Sequence, residues 1–525
     1  MATLVATGIG LFMVLLDGVI ANVALPEIQR DFGVGESGLQ WVVTAYTIGM
    51  ATFIMAGATA ADRFGRKRLF ILSLTAFTLT SLAAGLAPSL TGLTLARALQ
   101  GVAAATLSVT SLALVSAAFP QKGERAKAIG LWMGVANVAG VLGPTVGGVL
   151  TETLSWRAVF VINAPIAVLV LALTFWRVTE SRGERQRGFD WGGQLLFIAA
   201  MGSLSYGIIQ GQEDGWGSTL ILTLLTIGAT CLAVFAWYEF RMPSPMMDVR
   251  LFGNRIYAVS MVTIFSAFFG VYGMLLIITQ YFQNIERYSP ELTGLLILPS
   301  ALSLMVLSPI AGRLAQQFGP LPVARIGQPL LFVGLTTIAL GMPISASVVA
   351  AGLLLTGAGG ALVVAPITTL AMTATPADRA GMGSGIMSAQ RAVGTTFGFA
   401  VTGTILATWV GSTLDASLRE AIPEAAVRRA VVSQIVDEAD PYAYTAEVSP
   451  RRPLPAPTPA QREEIVSAAR QDFIDGSRLG VGVGAAFCGI TAVLLWTGTG
   501  TGQGNQKPAS GGRRGDANAP HGTGE

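Results

Sequence analysis

The chain has 525 residues, 52% of them hydrophobic and only 12% charged, against roughly 25% charged in an ordinary soluble domain. That balance excludes a soluble fold, and a net charge of +3 spread over short loops excludes a basic face able to track a nucleic-acid backbone. Two cysteines inside apolar stretches, a single histidine in the tail and four lysines, none after a glycine, leave no disulfide framework, no histidine-ligated metal site and no phosphate-binding P-loop, so no metal or cofactor is expected.

A helix crossing a hydrocarbon core about 30 Å thick needs about 20 apolar residues. Such segments recur at 4–25, 39–61, 69–87, 90–118, 127–150, 158–176 and 192–211, then at 218–239, 256–282, 292–311, 322–341, 344–373, 382–410 and 473–496. The pattern predicts an all-α integral membrane protein of fourteen transmembrane helices. The opening run, MATLVATGIGLFMVLL, has neither a basic n-region nor a cleavage site, so it reads as an uncleaved first span. The 63 glycines read as close helix packing rather than disorder.

Alternate loops carry seventeen Lys and Arg on one side and three on the other, leaving aside the long loop after the thirteenth span. The excess marks the cytoplasmic face, which puts both termini in the cytoplasm and the protein in the plasma or inner membrane. Residues 177–190, RVTESRGERQRGFD, read as a charged cytoplasmic linker, and 498–525 as a disordered cytoplasmic tail. Residues 411–472 combine a helix-like stretch with the Pro-rich run SPRRPLPAPTPA. They read as a mobile external spacer, with a folded flap over the exit as the alternative.

An internal repeat runs through the chain at an offset of 254. It carries Asp62, Phe64 and Gly65 onto Gln316, Phe318 and Gly319, Glu124, Arg125 and Ala126 onto Asp378, Arg379 and Ala380, and Gly140 onto Gly394. Eight spans separate the copies, as two six-span halves with an inserted pair would give. The expected division is an N-terminal bundle at 1–177, inserted helices 7 and 8 with their linkers at 178–255, and a C-terminal bundle at 256–497 that includes the 411–472 loop. Parallel halves related by an axis along the membrane normal are a known transporter construction, with the substrate site between them.

Charged residues inside spans are costly and mark a pathway, a proton relay or a pairing site. Three stand out: Asp17 in the first span, Arg97 in the fourth and Arg391 in the thirteenth, with Asp17 the only deep carboxylate. A carboxylate exposed alternately to each side can bind and release a proton. The alternative is an Asp permanently paired with Arg97. Arg97 itself is open to three readings: tuning Asp17, binding an anionic group, or fastening helices by donating to carbonyls. The offset sets Val271 opposite Asp17, so any proton coupling is confined to one site. Gly134, Gly140, Gly143, Gly147 and Gly148 surround Pro144 in span five, reading as helix packing with a hinge or tight gate as the sharper possibility. Asp62 is unusual within the basic loop ADRFGRKR, where it could cap a helix or pair with an arginine in one state.

Together these residues resemble the fourteen-span drug:proton antiporters of the major facilitator superfamily, over nearly all of residues 10–410. LDGVIANVALP at 16–26 looks like the first-span signature, with Asp17 on its acidic position and Val19 and Ala21 differing from the usual Thr and Val. Asp62, Arg63, Gly65, Arg66 and Lys67 fit the superfamily's loop signature, although Ala58 replaces its leading glycine. Arg97, Gln100 and Gly101 match a fourth-span signature whose arginine is implicated in proton transfer. Gly134 through Gly148 match a fifth-span pattern characteristic of exporters, and SWRAVFVINAPI and FDWGGQLL are typical of the branch.

The resemblance implies two six-helix bundles related by pseudo-two-fold symmetry plus two inserted helices, and proton-driven efflux of lipophilic small molecules by alternating access. It assigns Asp17 and Arg97 to proton coupling, and Asp62, Arg63, Gly65, Arg66, Gly134, Gly143, Pro144, Gly147 and Gly148 to conformational gating. Asn22, Asn137, Gln280 and Arg391 are the polar residues expected in a substrate cavity. The expected partners are a lipophilic substrate, protons and the bilayer, and a monomer is expected. Spans 9 to 13 hold no acidic residue, which disfavours strongly dicationic substrates. The rival readings are proton-coupled transport of a specific metabolite, such as an amino acid or sugar, and a membrane-bound enzyme or sensor, for which no catalytic constellation is visible.

Overall fold

Within hydrocarbon no water is available to satisfy backbone N–H and C=O groups, so each spanning segment must satisfy them internally. The chain does so with helices throughout. The computed structural model describes residues 1–119, 122–182, 190–211, 214–243, 245–375, 380–438, 440–442 and 458–498. In chain order the helices are α1 (Ala2–Phe32), α2 (Glu36–Phe64), α3 (Arg66–Gly85), α4 (Leu90–Ala118), α5 (Lys122–Thr153), a short α6 (Ala158–Val161) and α7 (Asn163–Arg177). Next come α8 (Trp191–Gln210), α9 (Thr219–Arg241), α10 (Arg255–Gln280), α11 (Pro290–Phe318), α12 (Pro320–Gly341), α13 (Ala346–Thr373), α14 (Ala380–Ser417), α15 (Ala425–Glu438) and α16 (Pro459–Thr497). Among the described residues, 13 helical segments are long and apolar enough to cross a membrane. Helix α5, with 32 residues, is a fourteenth long helix; many of its side chains lie outside the described residues.

The 254-residue register reappears in the helix boundaries. Helices α2 and α11 span 36–64 and 290–318, and α3 and α12 begin at 66 and 320, so each pair is separated by that offset. The junctions use Gly65 at φ 108° and Gly319 at φ 87°, conformations an L side chain rarely adopts. Polar caps mark several starts: Ser89, Ser218, Ser289 and Ser345 each accept a backbone N–H from the first turn, satisfying donors that have no partner within the helix.

Two seams join the regions that the repeat relates: α2 packs against α14, and α5 against α11. Helix α8 leans on the first seam, where Gln194 donates to the Thr52 carbonyl at 2.8 Å and Thr404 to the Ile208 carbonyl at 2.9 Å. Its neighbour α9 buries little beyond Ile221, Gly228, Phe235 and Glu239. Leu72, Leu79, Leu95, Leu99, Phe175 and Trp237 are exposed on the outer helices, as side chains facing lipid would be.

The reading of 411–472 as a mobile spacer needs correction over 411–438, 440–442 and 458–472. Helices α14 and α16 are 38 and 39 residues long, about 57 Å at 1.5 Å per residue, well beyond a 30 Å hydrocarbon core. Their projecting ends and α15 bury Leu414, Leu418, Val431, Ile435, Ile465 and Phe473 together, because these residues recur at helical spacing on facing surfaces. Ion pairs Arg428–Asp415 at 3.0 Å, Arg287–Asp440 at 2.7 Å and Arg470–Glu286 at 2.9 Å fasten this cap within itself and to the segment that joins α10 to α11. The Pro-rich run from 443 to 457 lies outside the described residues, as do 499–525.

Replacing fully buried Ile435 by Asp would place an unpaired charge in this cluster, at a cost of a few kcal/mol that raises the open population about tenfold or more. Limited proteolysis of Ile435→Asp should cut within 411–442 correspondingly faster while the spans stay protected. Unchanged cleavage would show that the cap does not depend on this packing.

Candidate functional site

The deep carboxylate and the deep arginine of the first bundle meet. Asp17 on α1 and Arg97 on α4 are both fully buried, and Arg97 Nη1 donates to Asp17 Oδ2 at 2.5 Å. Gln100 Nε2 donates to Asp17 Oδ1 at 2.8 Å, and Asn163 Nδ2 on α7 donates to the same oxygen at 3.1 Å. Asn163 also donates to Ser81 at 3.0 Å, whose hydroxyl in turn donates to the Phe160 carbonyl at 2.8 Å. A carboxylate held in place by three donors from two other helices fixes where α1, α4 and α7 cross.

Arg97 is shared between this cluster and α2. Its Nη1 donates to Gln100 Oε1 at 2.8 Å and its Nε to the Val42 carbonyl at 3.2 Å. Its guanidinium carbon lies 4.2 Å from the Tyr46 ring centroid and 5.4 Å from that of Phe160, a favourable cation–π arrangement. The Tyr46 hydroxyl donates to the Val14 carbonyl on α1 at 3.2 Å. The close fit of α2 on α4 depends on glycine, since a side-chain carbon at Gly101 would collide with the Tyr46 carbonyl. Two buried atoms of the cluster, Arg97 Nη2 and Asn163 Oδ1, have no hydrogen-bond partner. Arg97 therefore pairs with Asp17 and also fastens α2 through the Val42 carbonyl. Tyr46 and Asn163 are members that sequence reasoning missed, because neither is charged and both reach the cluster from distant helices.

The charged loop between α2 and α3 is held by a residue that composition marked only as part of a linker. Glu180 accepts the backbone N–H of Lys67 at 2.9 Å and of Arg68 at 3.2 Å, while Arg66 N–H donates to the Ser181 carbonyl at 2.9 Å. A carboxylate at the first turn of α3 satisfies otherwise unpaired donors and complements the positive end of the helix dipole. Arg63 lies over the Phe64 ring at 5.7 Å, and Gly65 forms the turn against Glu180. The side chain of Asp62 lies outside the described residues.

In α5, Pro144 sits within an unbroken helix. Carbons added at Gly143 and Gly147 would each come within 2.8 Å of α1, at Val19 and Ile20 respectively. One added at Gly148 would lie 2.5 Å from the Pro290 carbonyl oxygen, and one at Gly294 would collide with the Pro144 carbonyl. The α5–α11 seam is thus backbone against backbone at the end where α5 finishes, and Glu291 N–H donates across it to Glu152 at 3.2 Å. Further from that end, Gly140 has open space. Surroundings of Gly134 lie outside the described residues, as does the side chain of Asn137.

Of the expected cavity residues, Asn22 hydrogen-bonds within its own helix to the Gly18 carbonyl at 2.7 Å, and Gln280 is buried at the end of α10. Arg391 stands apart from the Asp17 cluster, on α14, and donates to Thr368 at 2.7 Å. In the second bundle, α10, α12 and α16 join through neutral groups: Gln328 donates to Ser266 at 3.1 Å and to Thr491 at 2.7 Å.

Paired helical repeats meeting along two seams, with a buried ionic cluster in one of them, are the architecture of an alternating-access membrane carrier. The chain belongs to the Major Facilitator Superfamily, whose sequence pattern it matches over residues 7–399. It is 47% identical over 494 residues to the multidrug resistance protein Stp of Mycobacterium tuberculosis, an alignment covering 94% of this chain and 91% of that one. It is 38% identical over 497 residues to the drug efflux pump JefA of the same species, covering 94% and 97%. In fold it resembles the inward-facing, unoccupied bacterial homologue of the human lysosomal transporter Spinster, with a TM-score of 0.61, 16% identity and coverage of 94% and 97%.

The backbone contact at Gly148 yields a direct test. Gly148→Val overpacks the seam at a cost of roughly 1–3 kcal/mol, enough to cut the closed population about tenfold. Disulfide formation between Glu152→Cys and Glu291→Cys, in a background lacking Cys231 and Cys488, should fall accordingly. Cross-linking as fast as in the Gly148 protein would overturn the gating role.

Proposed function

We propose that this protein exports lipophilic small molecules, drugs or toxic metabolites, in exchange for protons across the plasma membrane. The cycle rocks an N-terminal bundle (1–177) against a C-terminal one (256–497), with 178–255 inserted. The observation that carries this reading is the buried carboxylate of Asp17 on α1, clamped by Arg97, Gln100 and Asn163 in a chain 47% identical to a protein named for multidrug resistance. The tetracenomycin C resistance and export protein of Streptomyces glaucescens, 31% identical over 505 residues, supports it further.

The chemistry follows from the pairing. A proton on Asp17 removes the negative partner of a buried guanidinium, and an uncompensated buried charge is far costlier than a paired one. Arg97 must then find new partners, and it already grips α2 at Val42 and Tyr46. One residue beyond Tyr46, Thr47 accepts a hydrogen bond at 2.8 Å from Thr396 of α14, across the seam. Protonation of Asp17 is thereby linked to the seam helix without any long-range wire. With the lysine- and arginine-rich loops in the cytoplasm, the tight end of the α5–α11 seam faces outward, and the state described has the outer end closed. Both termini are then cytoplasmic, the carrier works as a monomer, and the proton gradient is its only energy source.

In proteoliposomes, Asp17→Asn should lower pH-gradient-driven efflux of a lipophilic dye about tenfold or more, the size of a typical coupling free energy between two sites. Undiminished gradient-dependent efflux would sink the proposed coupling.

A further inference from the structure

Two arginines lie deep in the helices, and only one of them has a carboxylate. Arg97 is compensated by Asp17. Arg391 has as its side-chain contacts a hydrogen bond from Nη2 to Thr368 at 2.7 Å and the Phe268 ring 5.8 Å from its guanidinium carbon, while its Nε is buried without a hydrogen-bond partner. No ion pair to it is formed among the described residues. The sequence explains why: no Asp or Glu occurs between Glu291 and Asp378, or between Asp378 and Asp415. Along α14, rising 1.5 Å per residue, Asp415 stands about 36 Å from Arg391, beyond the reach of its side chain, and Asp378 lies outside the described residues.

The position of this cation matters as much as its lack of a partner. Phe268 stacks on Tyr272, their rings 5.8 Å apart at 14°, and Tyr272 meets Phe399 edge-on at 5.8 Å. Tyr272 also packs against the apolar cluster that contains Ile20, Ala21 and Val43 of the first bundle. Arg391 therefore lies close to the boundary between the bundles, beside an aromatic wall, and is itself only partly buried. Buried or half-buried guanidinium groups are stable when a counter-charge completes them, and here the described residues supply none.

We propose that Arg391 is the specificity-determining residue for an anionic group on the exported molecule. The substrates it selects are amphiphiles carrying a carboxylate or an acidic phenol or enol, with an aromatic body against Phe268 and Tyr272. The negative group completes Arg391 when the gap between the bundles closes. This inference rests on the export function proposed above and narrows its substrate class; it assigns Asp17 to the proton and Arg391 to the cargo, in separate halves.

The test uses the full chain in proteoliposomes with two probes that differ only in charge, a coumarin carboxylate and its methyl ester. Arg391→Gln should weaken half-saturation for the carboxylate at least tenfold and leave the ester within twofold, while Arg391→Lys retains most of the carboxylate affinity. Equal losses for both probes in Arg391→Gln would reduce Arg391 to a helix fastener and overturn the proposal. So would a carboxylate affinity in the unmodified protein no better than that of the ester. Asp17→Asn separates the two ideas: if it abolishes gradient-driven transport of the ester while Arg391→Gln fails to discriminate, proton-driven export stands and the anion preference falls.

Discussion

A carboxylate and a guanidinium in contact, with neither touching solvent, set the terms for the first half of this molecule. Each alone would be costly in hydrocarbon, and together they are tolerable because most of their remaining donors and acceptors are met. Asp17 meets its share through Gln100 and Asn163, and Arg97 through Val42, Tyr46 and Phe160. The requirement draws four helices, α1, α2, α4 and α7, to one point. The glycine that lets α2 lie directly on α4 at Tyr46 and the Ser81 hydroxyl that steadies Asn163 are parts of the same arrangement.

The symmetry of the backbone and the asymmetry of the chemistry are both visible. Adding 254 to the ends of α2 gives the ends of α11, and α5 corresponds to α14, so the α2–α14 and α5–α11 seams are images of one another. The side chains do not follow that symmetry. One seam is joined by hydroxyls at Thr47 and Thr396 and braced by α8, whereas the other is glycine against backbone at Gly148 and Gly294. The first bundle holds a closed ion pair, and the second a neutral core around Gln328 with an open cation at Arg391. A duplicated frame has thus been given two different electrostatic interiors.

What the sequence made legible depended on rarity. In a chain with so little charge, Asp17, Arg97 and Arg391 could be picked out singly, and long apolar runs marked where the spans lie, although α14 and α16 run on well past the predicted ends at 410 and 473. The repeat was legible because glycine at a positive φ leaves a fixed mark at 65 and 319. Partners brought from afar were not legible. Glu180 looked like one more charge in a linker, yet it caps a helix more than a hundred positions earlier. Asn163 and Tyr46 are uncharged and became significant only beside an ion pair. The cap was hidden for a different reason: its apolar residues, Val431, Ile435 and Ile465 among them, are diluted by charge and interrupted by a proline-rich run, so composition favoured a spacer.

The cap also changes what the outer surface of the protein can report. Because α14 and α16 run without a break from the membrane into it, the cap is carried as a rigid extension of one half and is tied by Arg470 and Arg287 to the segment that joins α10 to α11. A small tilt in the membrane becomes a larger sweep at the tip of such a lever. In the proposed orientation and cycle, the cap is external and mechanically continuous with a half that moves, so gripping it from outside amounts to holding the carrier still.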